Sequence, residues 1–410
     1  LFKENQVNGV NKRQTMSDSA FRDEVRAFLA QSLTPEIRRA GELMTSVFAD
    51  FDATMAWHKI LHKKGWIAPD WPLEYGGTGW TLSQRYIFQE ECKLANAPAL
   101  LAMGLQMLGP MLIRYGSEEQ KSYYLPRMLA GDDVWCQGYS EPGAGSDLAA
   151  LMTSAVRDGD DYIINGSKIW TSYAQHSNRI FCLVRTSKEG RPQAGISFIL
   201  VDMDTEGLTV EPIVGLDGTV EQCQVFFDAV RVPAVNLVGA ENQGWDVAKS
   251  LLEFERGGHN FTIDHKKQMA KLMRQASSQL FSGNSSWRDN PVFKAKFADV
   301  AVDALALEFT ELRVKGAFQA GGNAGALSSL TKVMGTEIGQ RFNELSLEVM
   351  GDHALAKQLD ALLPDFDGEL IGPECGLTTM AEYINNRAST IYGGSAEIQR
   401  DIIAKRVLHL

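Results

Sequence analysis

The sequence is short of several things, and each shortage excludes a class of protein. No GxGxxG stretch occurs, so a nicotinamide-binding Rossmann unit is not expected. No GxSxG nucleophile elbow occurs, which argues against an α/β-hydrolase. The five cysteines, Cys92, Cys136, Cys182, Cys223 and Cys375, are odd in number and form no CxxC pair. Reduced thiols are the simplest reading, and with them a cytoplasmic setting. No apolar run reaches the roughly 18 residues of a membrane span. Positive charge is also scarce: 40 Lys and Arg stand against 51 Asp and Glu, a net charge of -11. Such a surface keeps a protein soluble and disfavours a nucleic-acid-binding body. An anionic ligand would therefore need a local basic or dipolar pocket.

What is present suits a globular chain of two to three domains, since 410 residues at about 150 per domain give that number. Residues 1–16 are polar and read as a leader or disordered extension, outside the fold. From 17 to 133 the pattern is helical. Phe21, Val25, Phe28 and Leu29 recur at helical spacing. Thr81 with Gln84 and Ser117 with Gln120 match capping boxes. Trp71–Trp80, with Pro72 and three glycines, reads as a loop.

Residues 134–240 read as β. Asp158-Gly159 and Asn165-Gly166 are hairpin-turn dipeptides. Ile196–Val201, Leu208–Pro212 and Gln224–Phe227 are bounded as strands. Residues 241–410 return to helices. Asn290-Pro291 can start a long one, with Val300, Leu305, Leu307, Phe309, Leu312 and Phe318 as its apolar positions. Further helices are expected over Leu327–Met350 and Ala396–Leu408. His58 and His62, four apart, lack the acid of a metalloprotease motif and read as a partly exposed helix face.

Four segments carry chemistry. In Trp135–Asp147 (WCQGYSEPGAGSD), small residues let a ligand approach the backbone, and hydroxyls and N–H groups can hold polar ring edges or phosphates. In Lys168–Ser172 (KIWTS), a Trp can cover a flat ring and a Ser can donate to a ring nitrogen. Leu251–Gly258 (LLEFERGG) sets two acids at i and i+2 on a helix, so at most one faces a cleft. Thr390–Arg400 (TIYGGSAEIQR) is a Gly-rich loop feeding a helix whose free N–H groups attract phosphates or carbonyl oxygens. Taken singly, these segments also read as a surface loop, a half-buried strand, a solvated helix face and a capped helix start.

Together they resemble the acyl-CoA dehydrogenase family, over nearly all of 17–410, and within it most nearly the large subunits of bacterial pimeloyl-CoA dehydrogenases. The resemblance implies an α+β fold: an N-terminal helical domain, a middle β-barrel-like domain and a C-terminal four-helix bundle. It implies FAD as cofactor, an acyl-CoA thioester as substrate, an electron-transfer flavoprotein as electron acceptor, and a homo- or heterotetramer. It places Gln137, Tyr139 and Ser140 at the flavin's pyrimidine side, with Trp170 and Ser172 flanking the ring. Ser146 is placed at the CoA moiety, and Tyr392, Gly394, Ser395 and Glu397 near the thioester and cofactor. Many members carry the base as a Glu where this chain has Gly393. A subgroup places it just before an Arg on the third segment, which Glu255-Arg256 fits, so Glu255 is the expected base and Arg256 its neighbour. Glu253 and Glu141 are next in line. An Arg-Thr-Phe-Gly stretch that meets the flavin across a subunit interface is missing near Ser285–Phe297. The Gln-x-x-Gly-Gly motif stands as Glu348–Asp352. These departures leave open a non-catalytic partner subunit, and the shared site leaves open an acyl-CoA oxidase.

Overall fold

A computed structural model describes residues 16–258, 260–319 and 327–410; the side chains of 253–258, 318 and 319, and the burial of Ser282, lie outside the description. The expected leader therefore falls outside it. The chain folds into two compact units. One holds the chain up to Trp57, Trp80–Ala99 and Arg256 onward; the other holds His58–Gly79 and Leu100–Glu255.

Helices open the chain: α1 (Asp18–Ser32), α2 (Pro35–Glu42), α3 (Phe51–Lys64), α4 (Leu82–Leu94), α5 (Gly109–Tyr115) and α6 (Glu118–Ala130). Their starts follow from capping chemistry. Thr34 accepts from Ile37 N with Pro35 at the first turn, and both expected capping boxes form, at Thr81 for α4 and Ser117 for α6. Strands follow: β1 (Trp135–Gly138), β2 (Ser154–Asp158), β3 (Asp161–Ser172), β4 (Arg179–Arg185), β5 (Ile196–Asp202), β6 (Leu208–Val214), β7 (Val220–Pro233) and β8 (Leu237–Val238). Then come α7 (Gly244–Gly258), α8 (Phe261–Ser278), a small hairpin of β9 (Leu280–Ser282) and β10 (Ser285–Ser286), α9 (Pro291–Gln319), α10 (Leu327–Met350), α11 (Thr379–Asn386) and α12 (Ala396–Ile403).

In the second unit the sheet runs β6-β7-β3-β2-β4-β5-β8, with β1 joined parallel to β4. Strands β4 and β5 are buried almost throughout and read as continuous apolar runs, as strands covered on both faces do. The core packs Tyr162, Ile164, Ile180, Val184, Ile199, Val201, Val225 and Val230 around three buried thiols, Cys136, Cys182 and Cys223. Each fully buried aliphatic side chain contributes about 1.5–3 kcal/mol.

In the first unit α8, α9 and α10 share a core of Leu272, Phe293, Val300, Leu307, Ile338 and Phe342. Gly335 of α10 sits where any Cβ would enter the Phe261 ring, so two helices approach closely there. Asn290 Oδ1 accepts from Val292 N at 2.8 Å and Phe293 N at 3.2 Å, fixing the start of α9. Of its expected apolar positions only some face inward. Val300 and Leu307 are buried, whereas Leu305, Phe309 and Leu312 are exposed and Val302 joins them. Phe318 lies outside the described side chains.

Two local expectations need correcting. Asn165-Gly166 makes no hairpin turn. It lies inside β3 at a bulge, where Asn165 Oδ1 accepts from Ala229 N at 2.9 Å and Thr153 crowds Gly166. The β2–β3 turn is made at Asp158–Asp161, where Asp158-Gly159 predicts one. His58 is buried rather than partly exposed: its Nε2 lies 3.0 Å from Leu129 O, and desolvation lowers its pKa.

Candidate active site

The candidate residues fall into two groups, one in each unit. In the sheet unit, β1 delivers Gln137, Tyr139 and Ser140. Gly138 lets this segment lie against β4, because a Cβ there would meet Cys182. Tyr139 is buried edge-on to Phe181 and Phe198, with ring centroids 5.9 and 6.4 Å away. Ser140 O accepts from Ile169 N at 2.9 Å, which brings the Gln137–Ser140 segment beside Trp170.

Trp170 owes its position to a bulge. In the β3–β7 ladder Lys168 pairs with Val225 and Thr171 with Cys223, so Ile169 and Trp170 stand opposite Gln224 alone. Trp170 takes φ 60° and is 60% exposed. For a bulky residue this is a true outlier. Ser172, half-buried, resumes the ladder opposite Gln222.

Beneath the bulge lies a pair that the sequence reading passed over. Lys168 is fully buried, and its Nζ donates to Glu141 Oε1 at 2.8 Å and to Tyr139 O at 3.1 Å. Glu141 also accepts from Met152 N at 2.6 Å and Thr153 N at 2.9 Å. Burial pushes the Lys168 ammonium down, against the pull of Glu141. Burial works to raise the Glu141 carboxyl, but the charge and hydrogen bond of Lys168 and the two N–H donors hold it below its usual range. A carboxylate so satisfied is a poor proton acceptor, which removes Glu141 as a reserve base. The available signal was register: Lys168 falls on the inward face that Tyr162 and Ile164 begin.

Gln137 Nε2 and Thr171 Oγ1 are enclosed without a hydrogen-bond partner. Buried polar groups are rarely left so, and a bound polar ring or water would satisfy them. The exposed indole of Trp170 offers an apolar face for a flat heterocycle such as the isoalloxazine of FAD. Ser146 lies exposed in the following loop.

In the other unit Tyr392, Gly394, Ser395 and Glu397 stand together before and at the start of α12. Gly393 and Gly394 take φ 63° and 88°. Ser395 caps α12 by accepting from Ile398 N at 3.4 Å. Lys332 Nζ donates to Ser389 O at 2.8 Å and lies 5.1 Å from the centre of the Tyr392 ring. Buried Gln399 packs its amide against Gly394. Glu397 is exposed, and hydrogen bonds from its own backbone N–H and from Ser395 lower its carboxyl. Glu255 and Arg256 are helical, on α7, and their side chains lie outside the described residues. Glu255 closes the sheet unit's part of α7, and the unit that begins again at Arg256 holds a cavity of about 490 Å³ lined by Ala270, Met273, Arg274, Ser277, Ser278 and Arg288.

Comparison with known proteins settles the family. Residues 15–132, 136–230 and 242–408 match the N-terminal, middle and C-terminal domains of acyl-CoA dehydrogenase. The chain belongs to the acyl-CoA dehydrogenase family. It is 35% identical to acyl-CoA dehydrogenase IpdE1 of Mycobacterium tuberculosis over 95% of this chain and 97% of that one. Among solved structures it resembles the Tcur3481-Tcur3483 steroid ACAD, at 30% identity and TM-score 0.81 over 96% of this chain and 97% of that one. It also resembles a chain of the ChsE4-ChsE5 complex from Mycobacterium tuberculosis, at 31% identity and TM-score 0.80, with coverage of 96% and 97%. As an acyl-CoA dehydrogenase it is an FAD-dependent oxidoreductase that acts on acyl-CoA thioesters, with the helical, β, helical order of the family. Among the described residues, no helix is long and apolar enough to cross a membrane.

Proposed function

We propose that this chain converts an acyl-CoA to its trans-2-enoyl-CoA and passes the electrons to an electron-transfer flavoprotein in a bacterial cytoplasm. The observation that supports the reading is the β3 bulge, which turns Trp170 outward while Ile169 N, one residue before it, is held on Ser140 O. Gln137, Tyr139, Ser140, Trp170 and Ser172 would hold the flavin ring, and Ser395 and Glu397 would contact the cofactor. Bound FAD supplies the acceptor for the hydride that leaves the β carbon.

Glu255 takes the α-proton. Enclosure raises a carboxylate toward about pKa 6–7, where a general base is most effective. Arg256 orients that carboxylate or closes the pocket over it. A backbone N–H at Gly394 stabilises the charge that builds on the thioester oxygen as the proton leaves. Ser146 contacts the CoA moiety, and Tyr392 lines the acyl thioester. Glu255→Gln should keep the yellow colour and thioester binding while turnover falls about a hundredfold or more. Near-normal turnover would move the base to Glu253.

The acyl group and the assembly are the finer part of the proposal. Of two similar structures, one is a steroid ACAD and the other a complex of two different chains. They support a bulky ring-bearing acyl group and a heterotetramer. The Arg274–Arg288 cavity offers two guanidinium groups in the region where the Arg-Thr-Phe-Gly stretch is missing. A second reading, a non-catalytic partner subunit, is favoured by that missing stretch. A screen of straight-chain, dicarboxylic and steroid-derived thioesters for flavin bleaching, with and without a co-expressed second subunit, decides between them. Protein that stays colourless with added FAD supports the second reading, and peroxide release on substrate addition identifies an oxidase.

A further inference from the structure

Trp170 holds a backbone conformation that is strained for a non-glycine residue, and such conformations persist only where the surroundings over-determine them. The surroundings here are specific. One residue before Trp170, Ile169 N is fixed on Ser140 O. Two residues before it, Lys168 Nζ is fixed on Tyr139 O and Glu141. Glu141 in turn anchors Met152 N and Thr153 N. Three separate stretches of chain, at 139–141, 152–153 and 168–169, therefore meet at one buried ion pair. Stability alone does not explain such a pair, because well-packed apolar residues in its place are often as stabilising or more so. What a charged, multiply bonded pair adds over an apolar one is a fixed geometry for the groups it touches, and those groups flank Ser140 and Trp170.

We propose that Lys168 and Glu141 are positioning residues, which lock the Trp170 bulge and the Tyr139–Glu141 backbone in the arrangement that receives the flavin ring. The proposal rests on the reading that this face binds FAD. The pair touches no reacting atom. It acts through Ser140, Ile169 and Trp170, so its removal loosens a surface already built rather than deleting a contact to the ring.

The decisive variant is the double substitution Lys168→Met with Glu141→Met, which removes both charges together and leaves neither ion orphaned. Two readouts are taken against the wild-type chain. In apoprotein, amide hydrogen exchange is followed at 139–141 and 168–172, with β4 and β5 as internal reference. In a separate titration, FAD affinity is measured by quenching of flavin fluorescence. The expected result is unchanged protection in β4 and β5, exchange at Ile169 at least about tenfold faster, and FAD binding at least about tenfold weaker. A purely structural pair would change protection throughout the sheet or nowhere. Wild-type protection at Ile169 with wild-type FAD affinity overturns the proposal. Should the double variant not fold, Glu141→Gln keeps an acceptor, removes the negative charge and is read by the same criteria, with a smaller expected loss. Wild-type protein that takes up no FAD overturns the functional reading instead, and the apoprotein exchange then decides the positioning role by itself.

Discussion

The bulge at Trp170 and the loop before α12 both place backbone at positive φ, and they do so in opposite ways. The loop uses Gly393 and Gly394, at φ 63° and 88°, where no side chain opposes the turn. The bulge uses a tryptophan at φ 60°, which resists it. The loop needs little to hold it beyond a serine cap, a lysine on Ser389 O and the Gln399 amide beneath. The bulge is held by a buried ion pair with five hydrogen bonds around it, counting those of Glu141, Lys168 and Ile169. At position 170 the residue is a tryptophan, and the strain is met by the surrounding network. At 393 and 394 glycine meets the same demand without opposing it.

That contrast can be broken by substitution. The largest effect is expected from Lys168→Met alone, which leaves Glu141 charged and buried. Unmaking one side of a buried pair costs about 3–5 kcal/mol, and a denaturant midpoint should show it, with the double variant recovering most of the loss. Gly394→Ala comes next. Alanine at that φ meets the left-handed penalty and also the Gln399 amide, so a loss of about 1–3 kcal/mol is expected, again by denaturation. If Gly394→Ala is neutral, the loop is not held as described. Trp170→Gly should have the smallest effect and the opposite sign: a stability gain of up to about 1 kcal/mol from relieved strain, together with weakened FAD binding. A loss of stability there would mean that the indole packs in a way its 60% exposure does not show.

Much of this fold was legible because local chemistry and tertiary packing agree. Thr81, Ser117 and Asn290-Pro291 announce helix starts that packing then uses, and α10 spans Leu327–Met350 as its periodicity indicates. Legibility ended where two physical solutions share one sequence. Asn165-Gly166 suits a tight turn and equally a bulge, and only the partner strand, which supplies Ala229 N, selects the bulge. On α9 both faces are apolar, so spacing alone could not tell Val300 and Leu307, which are buried, from Leu305, Phe309 and Leu312, which are not. The family was legible in its motifs, because short glycine- and hydroxyl-rich strings in this order are rare. The Lys168–Glu141 pair was not. The two residues lie 27 apart, and a lysine in a strand reads as solvated until the register shows it pointing inward.

The three sulfhydryls sealed in the sheet, Cys136, Cys182 and Cys223, also make that unit self-reporting. Each has no surface open to solvent, and burial first among the causes raises its pKa. An alkylating reagent can reach them only through an opening of the strands themselves. Mass-resolved labelling at these sites would thus time the breathing of the sheet unit with no dye, tag or added chromophore.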